Sequence, residues 1–204
     1  MSHMDEAAPP SGEEPLLKGH LLISRIHYLR ETHGAPGIAR VMAALPEADR
    51  ALLEDVRPED WYPFVALGRL DRTIRSQLAP NDPRLYERLG EASARERTAW
   101  LGEQAGLVTV HSFLSRLADR HRRIHSFGRA EYRRTGFREG ELRVSGYPIA
   151  EPSYCASALG FLRSAVEILT GAAASVDEVG CQCRSDEACA FRLSWRGASG
   201  AAGG

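Results

Sequence analysis

The chain has 204 residues, 43% of them hydrophobic, and 26 Lys and Arg against 27 Asp and Glu leave a net charge of −1. That length and apolar content suffice for one globular core, while the near-neutral balance gives no support to general binding of nucleic acid or membrane surfaces. No apolar run reaches the roughly 18–20 residues of a membrane span, and the start lacks the basic and apolar regions of a secretory signal, so a cytoplasmic chain is expected.

Residues 1–14 are rich in Pro, Ala, Ser and Glu without apolar periodicity, and 197–204 read Gly-Ala-Ser-Gly-Ala-Ala-Gly-Gly. Both ends are expected to be disordered tails or linker remnants, leaving 15–196 as a single domain. Leu16 to Leu29 is an apolar stretch compatible with a strand or a helix start, broken at His33-Gly34-Ala35-Pro36. Pro36 then opens a helix with Ile38, Val41, Met42 and Leu45 on one face, and Pro46 opens a second through Leu53. Asp60 is expected to cap a third, whose stripe of Trp61, Phe64, Val65, Leu67, Leu70, Ile74 and Leu78 stops at Pro80. A fourth follows Asp82-Pro83 through Leu85, Leu89, Ala92 and Ala99. A fifth runs from His111 to about Ser126, with Phe113, Leu114, Leu117 and Ile124 inside.

The period changes after Phe127. Tyr132 to Phe137 and Leu142 to Tyr147 read as a hairpin turning at Arg138-Glu139-Gly140. A last long helix follows Pro152, its apolar face Ala156, Leu159, Leu162, Ala165, Val166 and Leu169, and Gly171 closes it. Ala174 to Gly180 and Ala190 to Trp195 are two further strands. Helices first, then strand, strand, helix, strand, strand, predict an α+β fold: a helical N-terminal half packed on a small antiparallel sheet with one long helix and a C-terminal hairpin.

Three of the four cysteines, Cys181, Cys183 and Cys189, lie within nine residues, and Cys155 opens the last helix. Two thiols closing a hairpin, a third from a neighbouring helix and the Glu178 carboxylate are donors suited to a closed tetrahedral zinc site. Reducing conditions in the cytoplasm leave such thiols available to metal rather than to disulfides. The spacing alone equally allows ordinary buried thiols, and Cys183 is an alternative to Glu178 that would make the site all-thiolate.

Taken together, Cys155, Glu178, Cys181 and Cys189, with Asp186-Glu187 before the last thiol and Ala190-Phe191-Arg192-Leu193 after it, resemble the 4-vinyl-reductase-like domain family over roughly residues 127–195. That family includes the sensor domains of phenol-responsive transcription activators, and its fold is related to haem-nitric-oxide-binding domains and to subunits of the TRAPP tethering complex. The resemblance implies a structural zinc held by Cys155, Glu178, Cys181 and Cys189. It further implies a non-enzymatic sensory or regulatory domain for a small apolar or aromatic ligand, or alternatively an interaction module that dimerises through its helices and binds no ligand. Phe161 stands where the phenol sensors place a pocket aromatic. Trp61, Phe64, Phe113, Tyr132 and Tyr147 are the other aromatic residues expected to line a pocket between helices and sheet. The body, Trp61-Tyr62-Pro63-Phe64 included, is also similar to an uncharacterised paralogous group abundant in myxobacteria.

Other chemistry-bearing residues read more plainly. His121 and His125 are one helical turn apart without a Glu after the first, and a solvated helix end is expected. His111 is expected to be a capping or partly buried residue. The Tyr-x-Ser-x-Arg motif of haem-binding relatives is absent, so the sequence gives haem no support. Residues 111–143 carry Arg116, Arg120, Arg122, Arg123, Arg129, Arg133, Arg134, Arg138 and Arg143 against Asp119, Glu131, Glu139 and Glu141. This basic region is suited to dock an acidic protein partner through guanidinium forks, or to keep a solvated helix and an edge strand from self-pairing. No nucleophile elbow, phosphate-binding loop or Ser-His-Asp order is visible, and an enzyme is not expected.

Overall fold

The computed structural model describes residues 14–96 and 109–196. Ala99 and, apart from Glu14, the expected tails at 1–14 and 197–204 lie outside the described residues. β1 (Leu16–Lys18) pairs antiparallel with β2 (Trp61–Pro63). Between them run α1 (His20–Ala44) and α2 (Glu47–Glu54). Gly34, at φ 61° and ψ −166°, interrupts α1 in a conformation that costs glycine little, and Pro36 restarts the helix. Trp61 does not belong to the third helix as its spacing suggested. The backbone 61–63 is drawn into pairing with β1, and α3 (Phe64–Leu78) begins only after Pro63, with no side-chain cap from Asp60.

α4 (Leu85–Glu96) follows. The expected fifth helix is divided at Arg120 into α5 (Val110–Asp119) and the single turn α6 (His121–Ile124). Thr109 caps α5, its Oγ1 accepting from the Ser112 N–H at 3.1 Å. β3 (Arg129–Gly136), β4 (Glu139–Ser145), β5 (Ala174–Gly180) and β6 (Ala188–Trp195) form an antiparallel sheet in the order β3-β4-β6-β5. The first hairpin turns at Phe137-Arg138, because Glu139 and Gly140 already pair with Gly136 and Arg134. α7 (Pro152–Thr170) lies against the sheet and ends at Gly171, whose φ of 63° is the left-handed stop read from the sequence.

Two hydrophobic cores result. One joins α5, α7 and the inner face of the sheet through Phe113, Leu114, Leu142, Leu162, Val166 and Phe191. The other joins α1, α3 and α4 through Leu22, Leu29, Phe64, Leu67, Leu70 and Leu89. α4 and α7 link them in backbone contact, where a Cβ on Gly90 would fall 1.8 Å from the Ser157 carbonyl oxygen and one on Gly160 1.9 Å from that of Glu87. Glycine is required at both positions for this approach. Among the described residues no helix is long and apolar enough to cross a membrane.

Candidate functional site

Where the two cores meet, they leave a cavity of about 370 Å³. The 3.6-residue period of α7 turns Tyr154, Ser157, Ala158, Phe161 and Leu162 toward it, and the two-residue period of the strands brings in Leu142, Val144 and Phe191. α1 adds Leu21, Ser24 and Arg25, and the α5–α6 region adds Leu117, His121, Ile124 and His125. The wall is mainly apolar, with a small set of polar groups.

Of the aromatic residues expected at a pocket, Tyr147 and Phe161 line this cavity. Trp61, Phe64, Phe113 and Tyr132 do not line it, each being engaged with other groups. The Lys18 ammonium lies 4.4 Å from the Trp61 ring centre. Phe64 packs 4.9 Å from Phe127 and 5.3 Å from Tyr154, ring centre to ring centre. Phe113 is core between α5 and the sheet. Tyr132 Oη meets His111 Nδ1 at 2.6 Å, and His111 Nε2 donates to the Phe137 carbonyl at 2.9 Å, pinning α5 to the β3–β4 hairpin.

His121 and His125 are not on a solvated helix end. Each is 6% exposed, and their rings stack at 4.3 Å and 22°. His121 Nε2 bonds the Phe127 carbonyl at 3.2 Å, His125 Nδ1 bonds the His121 carbonyl at 3.3 Å, and His125 Nε2 meets Tyr154 Oη at 2.5 Å. Burial lowers the pKa of His121 against the opposing pull of its carbonyl bond. Burial and the adjacent His121 hold His125 well below the ordinary imidazole range. Leu117, His121, Ile124 and His125 recur at i, i+4, i+7 and i+8, the spacing of a buried stripe, and that was the available signal.

Arg25 was missed in the same way, although Leu22, Arg25 and Leu29 share one face of α1. It is 2% exposed and forms an ion pair with Asp71, itself 0% exposed. Its Nε and Nη2 donate to Asp71 at 2.9 and 3.4 Å, Nη1 to Ser93 Oγ and the Leu89 carbonyl at 3.0 and 3.4 Å, and Nη2 also to Ser157 Oγ at 2.8 Å. All five guanidinium N–H groups are therefore engaged.

The cysteines gather at the far end of the sheet. Cys155 in the first turn of α7, Cys181 after β5 and Cys189 in β6 are buried, and their sulfurs lie within 4.8 Å of one another. Cys155 Sγ is 3.5 Å from Cys189 Sγ and 3.7 Å from Cys181 Sγ. Hydrogen bonding from Cys155 draws the Cys189 thiol down to about 6, while burial pushes Cys181 up to about 12. The Cys155 thiol is raised by the same contact with Cys189 and by burial.

Glu178 and the half-buried Cys183 stand outside that tight cluster. Glu178 pairs with Phe191 across the strands and shares the inner face of β5 with Val176. Its Oε2 accepts from Arg184 Nη1 at 2.7 Å, and its Oε1 is buried without a hydrogen-bond partner among the described residues. The loop is tied to the cavity wall through Gln182, whose Oε1 accepts from the Tyr147 N–H at 3.1 Å and whose own N–H points to Cys189 Sγ at 3.4 Å.

The arginine-rich region spreads over α5, α6 and the β3–β4 hairpin. Arg129 faces Glu131 at 3.4 Å, and Arg133 and Arg143 both face Glu141 at 3.8 Å. Part of its charge is thus balanced across the outer face of the sheet.

No family profile matches the chain, and no curated protein matches it. Solved structures do. An H-NOX protein from S. oneidensis in the Fe(II)NO ligation state superposes with a TM-score of 0.68 at 13% identity, covering 88% of this chain and 99% of that one. An unliganded Fe(II) H-NOX variant from K. algicida gives 0.65 at 9% identity, covering 88% and 97%. An oxygen-binding H-NOX domain related to soluble guanylate cyclases gives 0.66 at 15% identity, covering 88% and 95%. The chain therefore has the H-NOX fold, in agreement with the fold relation that the cysteine pattern implied.

Proposed function

We propose that this chain is a sensory or regulatory domain whose cavity binds a small, mainly apolar ligand, with a structural zinc at the end of the sheet, as in the 4-vinyl-reductase-like family that its cysteine pattern resembles. The observation that carries this reading is the cavity. Its volume of about 370 Å³ falls in the lower part of the roughly 300–1,000 Å³ span of small-molecule pockets, and its wall joins apolar side chains to a few polar ones, as such pockets do. Contacts with Tyr154 and Phe161 place a ligand against the helix that also carries Cys155. Occupancy shifts the population toward the conformation in which α7 is braced between the helical half and the sheet.

Haem is the alternative that the H-NOX neighbours raise. It brings two carboxylates that need cationic donors. Among the described residues lining the cavity, the one guanidinium, that of Arg25, is already neutralised by Asp71 with its donors engaged. His121 Nδ1 is left open to an iron, but the wall offers the two carboxylates no uncommitted guanidinium, and in this the residues do not fit haem.

The thiol cluster does fit zinc. Zinc–sulfur bonds of about 2.3 Å at tetrahedral angles set thiolates about 3.8 Å apart, close to the 3.5 and 3.7 Å found from Cys155. Cys155, Cys181 and Cys189 would hold the ion, and the orphaned Glu178 Oε1 supports that carboxylate as the fourth donor over Cys183. Such an ion would fasten the β5–β6 loop to α7 and is structural in role.

The test is a thermal-shift and calorimetric titration of small neutral apolar compounds against the wild-type chain and against Ala158→Leu, which fills the cavity. Compounds that stabilise the wild type and leave the folded Ala158→Leu variant unmoved support the proposal. No shift, or equal shifts in both proteins, would overturn it.

A further inference from the structure

We propose that the cavity selects an uncharged ligand bearing a hydrogen-bond donor, which it holds through the acceptor nitrogen of His121 with Tyr154 Oη beside it. This rests on the ligand-binding reading above and specifies its chemistry. Proton positions decide the ligand's chemistry. A carbonyl oxygen only accepts, so the bonds to Phe127 and to the His121 carbonyl place the ring protons on His121 Nε2 and His125 Nδ1. Burial keeps both imidazoles in the neutral, one-proton form. His125 Nε2 is then a lone pair and takes the hydroxyl proton of Tyr154. Tyr147 lies beside Tyr154, their ring centres 5.7 Å apart.

His121 and Tyr154 therefore present acceptor capacity alone. Tyr154 Oη has no proton to offer, and His121 Nδ1 carries a lone pair with no hydrogen-bond partner among the described residues. Ser24, Ser93 and Arg25 do not alter this sign, while His20 is a further imidazole on the cavity wall. Ser24 donates to the Leu21 carbonyl, and Ser93 donates to the Leu89 carbonyl or to Ser24. Arg25 is saturated and charge-compensated, and Ser157, accepting from Arg25, keeps the one uncommitted hydroxyl proton. An anion placed beside His121 and Tyr154 meets lone pairs, with the nearby cation of Arg25 already cancelled by Asp71, whereas a neutral N–H or O–H meets the lone pair of His121 Nδ1. Glu96, on the wall near α1 and already paired with His27, adds negative rather than positive charge.

Indole and indene test this directly, being bicycles of the same shape in which an N–H is replaced by CH₂. Isothermal titration of the intact chain should show indole binding about ten-fold more tightly, the worth of one neutral hydrogen bond. Indole-3-carboxylate should bind more weakly than either. In His121→Phe, checked for folding by its melt, the indole-to-indene ratio should fall to near one. In Tyr154→Phe it should survive, since His121 Nδ1 is untouched and His125 Nε2 is released as a second acceptor. Equal wild-type affinities for indole and indene would overturn the donor assignment while leaving the cavity a ligand site. Preferential binding of the carboxylate would also overturn it. If neither neutral bicycle binds, and no other neutral apolar compound does, the ligand-binding reading falls and takes this inference with it.

Discussion

Replacing Asp71 by Ala removes the counter-charge of a guanidinium that is 2% exposed. Two of the five hydrogen bonds of Arg25 go with it, leaving Ser93, Ser157 and the Leu89 carbonyl around an uncompensated buried cation. Breaking a buried pair in this way costs about 3–5 kcal/mol, a large part of the roughly 5–15 kcal/mol that holds a domain folded. With a urea m-value near 2 kcal/mol/M, the unfolding midpoint followed by circular dichroism should drop by about 2 M. The double variant Arg25→Met/Asp71→Leu, which removes both charges and keeps apolar volume, should recover most of that loss. Because Arg25 also lines the cavity, benzoate should stabilise Asp71→Ala and not the wild type. A loss below 1 kcal/mol, or a double variant as unstable as the single one, would refute the view that this pair is buried and mutually dependent.

Removing Cys155 or Cys189 as Ser should release bound zinc and lower the melting temperature by about 10 °C or more, whereas Cys183→Ser should keep both, as elemental analysis and a melt in chelator will show. The depressed folded-state pKa values of His121 and His125 set the sign of the acid response. Both imidazoles contribute their full stability above the unfolded value of about 6.5, and that stability is lost progressively as pH falls from there toward the folded values. Melts from pH 8 to 5 should record this decline, and it should be shallower in His121→Phe. Gly160→Ala should destabilise by about 1–3 kcal/mol or more, since the new methyl group meets the Glu87 backbone rather than a movable side chain; denaturant unfolding measures it.

Elements with strong local punctuation were legible from sequence. Pro46 and Gly171 bound helices because a proline ring and a left-handed glycine act without tertiary help, and the cysteine spacing places three thiols together because two flank a hairpin loop and one opens the adjoining helix. What was hidden depended on partners distant in the chain. Trp61 reads as helical by period, yet pairing with Lys18 makes it a strand. Arg25 and Asp71 look like surface charges one at a time, and only their meeting across 46 positions permits burial. The two imidazoles follow the stripe of Leu117 and Ile124, but a titratable ring is more often solvated, and only the carbonyl and tyrosine partners supplied by other elements permit its burial. The cavity was legible only in part, with Tyr147 and Phe161 expected at its wall and most of the remaining lining not, for a related reason. Apolar periodicity identifies faces that pack, and Phe64 and Phe113 do pack, whereas a gap between two cores is a property of how the cores meet.

The most direct measurement of the central claim is a crystal structure under xenon pressure, since apolar cavities that stay free of water take up xenon. The account predicts xenon density among Leu142, Phe161, Leu162 and Phe191, and its disappearance in Ala158→Leu. A closed core, with those four side chains in mutual contact and no density between them, would contradict it.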